Sequence, residues 1–246
     1  KSLHYILALT SCLLTWGVFA QQTPAPEQST SILVMGGTAH LGTGDVLKDA
    51  AIGLRNGKID FVGFAQDADR ARYDEVIMAH GQHVYPGFIA PNSTLGLQEI
   101  GAVRATRDDR ETGTFKPHVR SVIAFNTDSE VTPTVRTNGV LMGQITPRGG
   151  TISGSSGIVH FDGWNWEDAA IRMVDGIHLN WPRTHHRHRA DGTVDIKKLK
   201  TYDQELQEIT HFFESAQAYA QQPKRNATSK KDLRQEAMRG LFDGSL

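Results

Sequence analysis

The sequence predicts an α/β protein, on three observations. Residues 32–85 alternate short apolar runs with tight glycine turns, and residues from Pro86 onward interleave apolar strands with helical stretches. The third is a single apolar stripe between Ile196 and Gln221. Composition agrees: 39% of the 246 residues are hydrophobic and 22% charged, a balance that favours a folded chain over a disordered one. With 26 basic against 27 acidic side chains, nothing in the charge points to a nucleic acid partner.

The first element is a leader. Lys1 gives a short positive start, Ile6 to Ala20 is apolar but shorter than the about 20 residues that span a bilayer, and Val18-Phe19-Ala20 offers small residues to a signal peptidase. Residues 1–20 therefore read as a signal peptide, and the protein as secreted or periplasmic, with no stable membrane span once the leader is removed. Cys12, the one cysteine, leaves with it, which excludes disulfides, zinc–thiolate sites and a cysteine nucleophile from the mature chain. Residues 21–31 form a polar linker.

Ile32 to Met35 is a strand ending at Gly36-Gly37. Ala51 to Arg55 and Lys58 to Val62 flank Asn56-Gly57, the pair a type I′ hairpin turn prefers because both positions need positive φ. Val76 to Ala79 and His83 to Tyr85 flank a further turn at His80 to Gln82, so residues 32–85 read as a small antiparallel β unit. Pro86 to Pro91 is an apolar strand that leaves it. Val131 to Thr137 reads as helical, Gly139 to Thr146 as the next strand, Gly149 to Gly157 as a long glycine-rich loop and Ile158 to Phe161 as a short strand. In the stripe, Ile196, Leu199, Tyr202, Leu206, Ile209, Phe213, Ala216 and Ala220 recur at three or four residues, the pattern of a helix packed on a wall. Ser229 to Asp232 starts a second helix over 230–242.

The segments GGTAHLGTGDVLKDAAIGLRNGKIDFVG and HVYPGFIAPNSTLGL, within residues 32–97, resemble the opening of the amidohydrolase superfamily, nearest its imidazolonepropionase-like members. The later EIGAVRATRD and WNWEDA segments resemble a poorly characterised branch. The resemblance implies a partial (β/α)8, TIM-like barrel over residues 86–246, preceded by part of a β-sandwich over 32–85. A complete barrel takes about 250 residues, so the chain reads as the N-terminal part of a longer protein. The implied function is hydrolysis of carbon–nitrogen bonds, cyclic amides included, by metal-activated water. The alternative is a non-catalytic relative that serves as a binding module or as partner to an active paralogue.

In that family the strand after PGFI ends in Asp-x-His-x-His, which binds a divalent metal. Here Ala90, Asn92 and Thr94 stand at those three positions. Neither Asn nor Thr replaces imidazole for zinc, so any divalent metal (zinc, iron or manganese) is expected to be held by residues beyond Leu246. Polar residues at the expected barrel mouth are the candidates for holding a small-molecule substrate: Asn92, Thr94, Gln98, Glu99, Arg104, Gln144, Thr146 and Arg148, with Asp108 beside them. Trp164, Trp166 and Trp181 are candidate pocket walls. A homo-oligomer is a further expectation. His185 to His188 is a histidine tract among arginines and reads as a solvated loop; Ser153, Ser155 and Ser156 fit no nucleophile elbow.

Overall fold

The computed structural model describes residues 23–184, 199–223 and 230–246. The leader, the histidine tract, Ile196 and the Ser229 start of the last helix lie outside the described residues. Within them the protein is a mixed α/β structure with two sheets and few helices. No helix among them is long and apolar enough to cross a membrane.

The first sheet contains β1 (Ile32–His40), β2 (Val46–Arg55), β3 (Lys58–Phe64), β4 (Glu75–Met78) and β5 (His83–Val84). β2 and β3 turn through Asn56 and Gly57 at φ 51° and 69°, the left-handed pair that the turn requires. β1–β2 and β2–β3 are antiparallel, as expected. β4 and β5 are not: both run parallel to β1, one after the other along its length, and they do not form a hairpin. The break between them falls at Gly37, where a Cβ would lie only 3.1 Å from Ala79 Cβ and O, so the two short strands close over a bare backbone. Leu33, Met35, Ala51 and Tyr73 form the core here, covered by Phe61, Ala65 and Ala68. Residues 32–84 thus form one five-stranded sheet. The linker is tied down: Gln28 hydrogen-bonds Leu54 O and Gly57 N, and Ala25 N donates to Asp162.

The second sheet runs β6 (Phe88–Ser93), β7 (Val140–Ile145), β8 (Ile152–His160), β9 (Ala170–Leu179) in that order. α1 (Val131–Thr137) lies between β6 and β7, which are parallel: one strand–helix–strand step of the kind a (β/α)8 barrel repeats. Among the described residues this step occurs once. β8 and β9 are antiparallel to their neighbours, so residues beyond β7 depart from the expected barrel.

The departure also corrects the glycine-rich loop. Residues 152–157 are a fully buried part of β8. Gly157 lies so close to β9 and Val122 that a side chain has no room, and the serines pair with backbone: Ser155 Oγ donates to Val119 O at 3.2 Å and Ser156 Oγ to Gly176 O at 3.4 Å. Glycine and serine are here because the backbones pack closely. Ile145, Val159, Phe161, Val122, Leu97, Phe125 and Ala169 form the core beside this sheet. α2 (Trp166–Ala169) is capped by Asn165, whose side chain accepts from Asp168 N.

α3 (Tyr202–Ala220) carries the predicted stripe from Tyr202 to Ala220, and Leu199 precedes the helix. Ala216 and the Phe212–Phe213 pair pack on Ile152, Phe115 and Ile177, so this helix covers the sheet as expected. The last helix is two short ones, α4 (Leu233–Ala237) and α5 (Arg239–Asp243), and the cap is Asp232, which accepts from Arg234 N.

Candidate functional site

The end of the parallel β6–β7 pair gathers three of the predicted residues. Asn92 sits near the end of β6 at φ 50°, a left-handed conformation that Asn tolerates better than most residues. The turn presents both of its oxygens to one side. Arg148, three residues past β7, donates one terminal nitrogen to Asn92 Oδ1 and the other to Asn92 O, the latter at 2.7 Å. Gln144, on β7, accepts from Asn92 N at 3.1 Å and donates to Asp175 Oδ2 at 2.5 Å. The Gln144 amide orientation follows from those two bonds.

Two members of this cluster, Asp175 and His178, come from β9, which sequence reasoning missed. The segment Ile171 to Leu179 carries apolar residues that would support a strand, but its arginine, aspartate and histidine had no partner until β9 paired with β8. His178 has its pKa pushed down, first by burial and then by the positive charge of Arg148, with Asp175 opposing. It is therefore a neutral imidazole at pH 7. Arg172 faces Asp175 Oδ1 at 3.9 Å.

The other predicted residues lie elsewhere. Thr146 is buried and its hydroxyl donates to Gln144 O at 3.3 Å, so it supports β7 from below. Thr94 begins the turn to Leu97, whose N–H donates to Thr94 O. Gln98 and Glu99 open an excursion closed by the Glu99 N to Thr106 O bond and by the Gln98–Arg107 bridge. Glu99 Oε1 is buried there without a hydrogen-bond partner. Arg104 is exposed on the same excursion, with Arg107, Asp108, Asp109 and Arg110 around a cavity of about 380 Å³. Asp109, 2% exposed, pairs with Arg110 at 3.0 Å and Arg107 at 3.6 Å, and its carbonyl accepts from Arg148 N at 2.6 Å. The backbone of Asp109 therefore anchors the start of the Arg148 loop, while its carboxylate ties together Arg107 and Arg110. Trp166 packs on the core, while Trp164 and Trp181 are exposed.

Among the described residues no group of three or more His, Asp, Glu or Cys side chains is placed to hold a metal ion. The first-strand positions do not fit one. Asn92 Oδ1, the oxygen there best suited to a hard cation, already accepts from a guanidinium, whose charge repels a second cation.

No protein-family model matches the chain, and no curated protein matches it. Among solved structures, an amidohydrolase from Thermotoga maritima aligns over 86% of this chain with a TM-score of 0.69 and 20% identity. The chain has the fold of part of an amidohydrolase. It spans 55% of that structure's length. An ochratoxinase from A. niger matches over 31% of this chain and 18% of its own (TM-score 0.27, 18% identity). A D-hydantoinase matches over 39% and 19% (TM-score 0.25, 23% identity). The fold likeness agrees with the amidohydrolase-superfamily resemblance carried by residues 32–97.

Proposed function

We propose that the protein is a hydrolase of carbon–nitrogen bonds outside peptides, cyclic amides included, and that this chain supplies the wall that orients the substrate. The observation that carries the proposal is the polar cluster at the end of β6–β7, on a chain that shares most of its fold with an amidohydrolase. Ligands of barrel and open α/β folds sit beyond the carboxyl ends of the parallel strands, which is where Asn92, Gln144 and Arg148 stand. In this reading the β6–α1–β7 step opens a (β/α)8 barrel and the first sheet belongs to a sandwich.

The residues present divide the work by charge. Arg148 stabilises negative charge on the substrate. Neutral His178 accepts a hydrogen bond or a proton from a bound group, and Asp175, held by Gln144, offsets the imidazolium that would form. No side chain of the first strand contributes a metal ligand. A leader over residues 1–20 places the protein in the periplasm or outside the cell in this proposal, acting on a small molecule.

A second reading, a non-catalytic binding module that works alone, as an oligomer or beside an active paralogue, is favoured by the Arg148–Asn92 pairing. It stands where the family's metal ligand is expected. The deciding experiment uses protein purified from its intact gene: hydrolysis of a panel of linear and cyclic amides, with metal content by elemental mass spectrometry. Turnover of any amide supports the hydrolase. Tight binding without turnover, unchanged after metal reconstitution, overturns it in favour of the second reading.

A further inference from the structure

Arg148 is a half-buried guanidinium held without a carboxylate. Its bonds go to the two neutral oxygens of Asn92, and among the described residues no Asp or Glu pairs with it. Its neighbours differ: Arg107 and Arg110 share Asp109, and Arg172 faces Asp175. The nearest acid of the cluster is already engaged, since Gln144 takes Asp175 Oδ2 and Arg172 faces Oδ1. The surroundings feel the uncompensated charge, because Arg148 helps to push the His178 pKa down.

Geometry says which part of the guanidinium is free. Arginine carries five N–H donors in a planar fork. Asn92 takes one from each terminal nitrogen, which occupies the end-on edge. The side-on edge, Nε with one Nη, makes no hydrogen bond among the described residues, and two parallel N–H donors match the two oxygens of a carboxylate. Asn92 therefore acts as a brace. Its left-handed turn brings both its oxygens to the guanidinium and stops the fork from rotating.

We propose that Arg148, braced by Asn92, binds a substrate carboxylate, so that the compounds taken by this site are amides carrying a free carboxylate, such as N-acyl amino acids. The inference rests on the substrate-orienting role proposed above for the same residues and names the substrate class.

The test is titration calorimetry of the full-length protein with N-acetylglycine and with N-acetylglycinamide, the same skeleton without the charge. The acid binds at least about tenfold tighter than the amide, the strength of a charge-assisted fork. Arg148→Met abolishes the difference, and Arg148→Lys, which keeps the charge and loses the fork, retains part of it. A readout on the unmodified protein guards against a variant that fails to fold. In a proton NMR titration, saturating N-acetylglycine raises the His178 pKa, because the carboxylate offsets Arg148, and the amide does not. Equal affinity for acid and amide, no binding of either, an acid preference that survives Arg148→Met, or binding of inorganic phosphate but not of N-acetylglycine would overturn the proposal. Hydrolysis of neutral amides with no carboxylate preference overturns this inference and leaves the hydrolase. Carboxylate binding without turnover does the reverse.

Discussion

Replacing Gly157 by alanine adds one methyl group to the middle of β8, and the structure says what that methyl meets. An ideal Cβ would lie 2.4 Å from Val122 Cγ2, 2.6 Å from Arg172 O and 2.8 Å from Met173 O. Two of those atoms are backbone of β9 and cannot rotate away, and Val122 is itself fully buried in the core. The backbone at Gly157 is not left-handed, so the cost is steric alone. Overpacking of this kind costs about 1–3 kcal/mol. For a chain of this size each kcal/mol lowers Tm by about 2–4 °C, so the expected fall is roughly 2–12 °C. If residues 149–157 were instead a solvated loop, the same change would stabilise by about 0.4–1 kcal/mol, through the unfolded chain's lost freedom. The two readings differ in sign. Thermal unfolding followed by circular dichroism decides between them. Gly176→Ala is the control, since its Cβ would meet only Ser156 Oγ, at 3.9 Å. An unchanged or raised Tm for Gly157→Ala would refute the close packing of β8 against β9.

Other outcomes are expected from single groups. Ser121 is buried and its hydroxyl lies 2.6 Å from Ile145 O and 3.1 Å from Ser155 O, tying β7 to β8, so Ser121→Ala lowers the urea midpoint by an amount equal to about 1 kcal/mol or more. His178 supplies a pH dependence: its folded pKa lies below the ordinary 6.5, so the folded state binds the proton less well than the unfolded chain. The stability this represents is present above pH 6.5 and is lost as pH falls through the lower folded value. His178→Gln flattens that part of the stability profile, as measured by urea unfolding between pH 5 and pH 8.

Particular residues show how far the sequence could be read. Asn56-Gly57 specified its turn because the positive φ values it needs are a property of those two residues alone. The apolar stripe placed α3 against a wall because its period is local. The glycines of 149–157 misled, since an absent side chain looks the same whether the backbone is in water or pressed against another strand. Asp175 and His178 were passed over because a strand that pairs antiparallel at β8 draws its partner from pairing, which no local pattern encodes.

The same division holds for the site. That Asn92 and Thr94 stand where the resemblance leads one to expect histidines is legible residue by residue, as are the net charge of −1 and the single cysteine, Cys12. That Arg148 lies on Asn92, 56 positions earlier in the chain, depends on β6 and β7 running parallel, and that Gln144 donates to Asp175 depends on β9 joining the sheet. Local conformation follows from neighbours in sequence, whose sterics and hydrogen bonds are written in the chain order. A charge left without its counter-ion is a fact about neighbours in space, and only the folded arrangement of strands decides which those are.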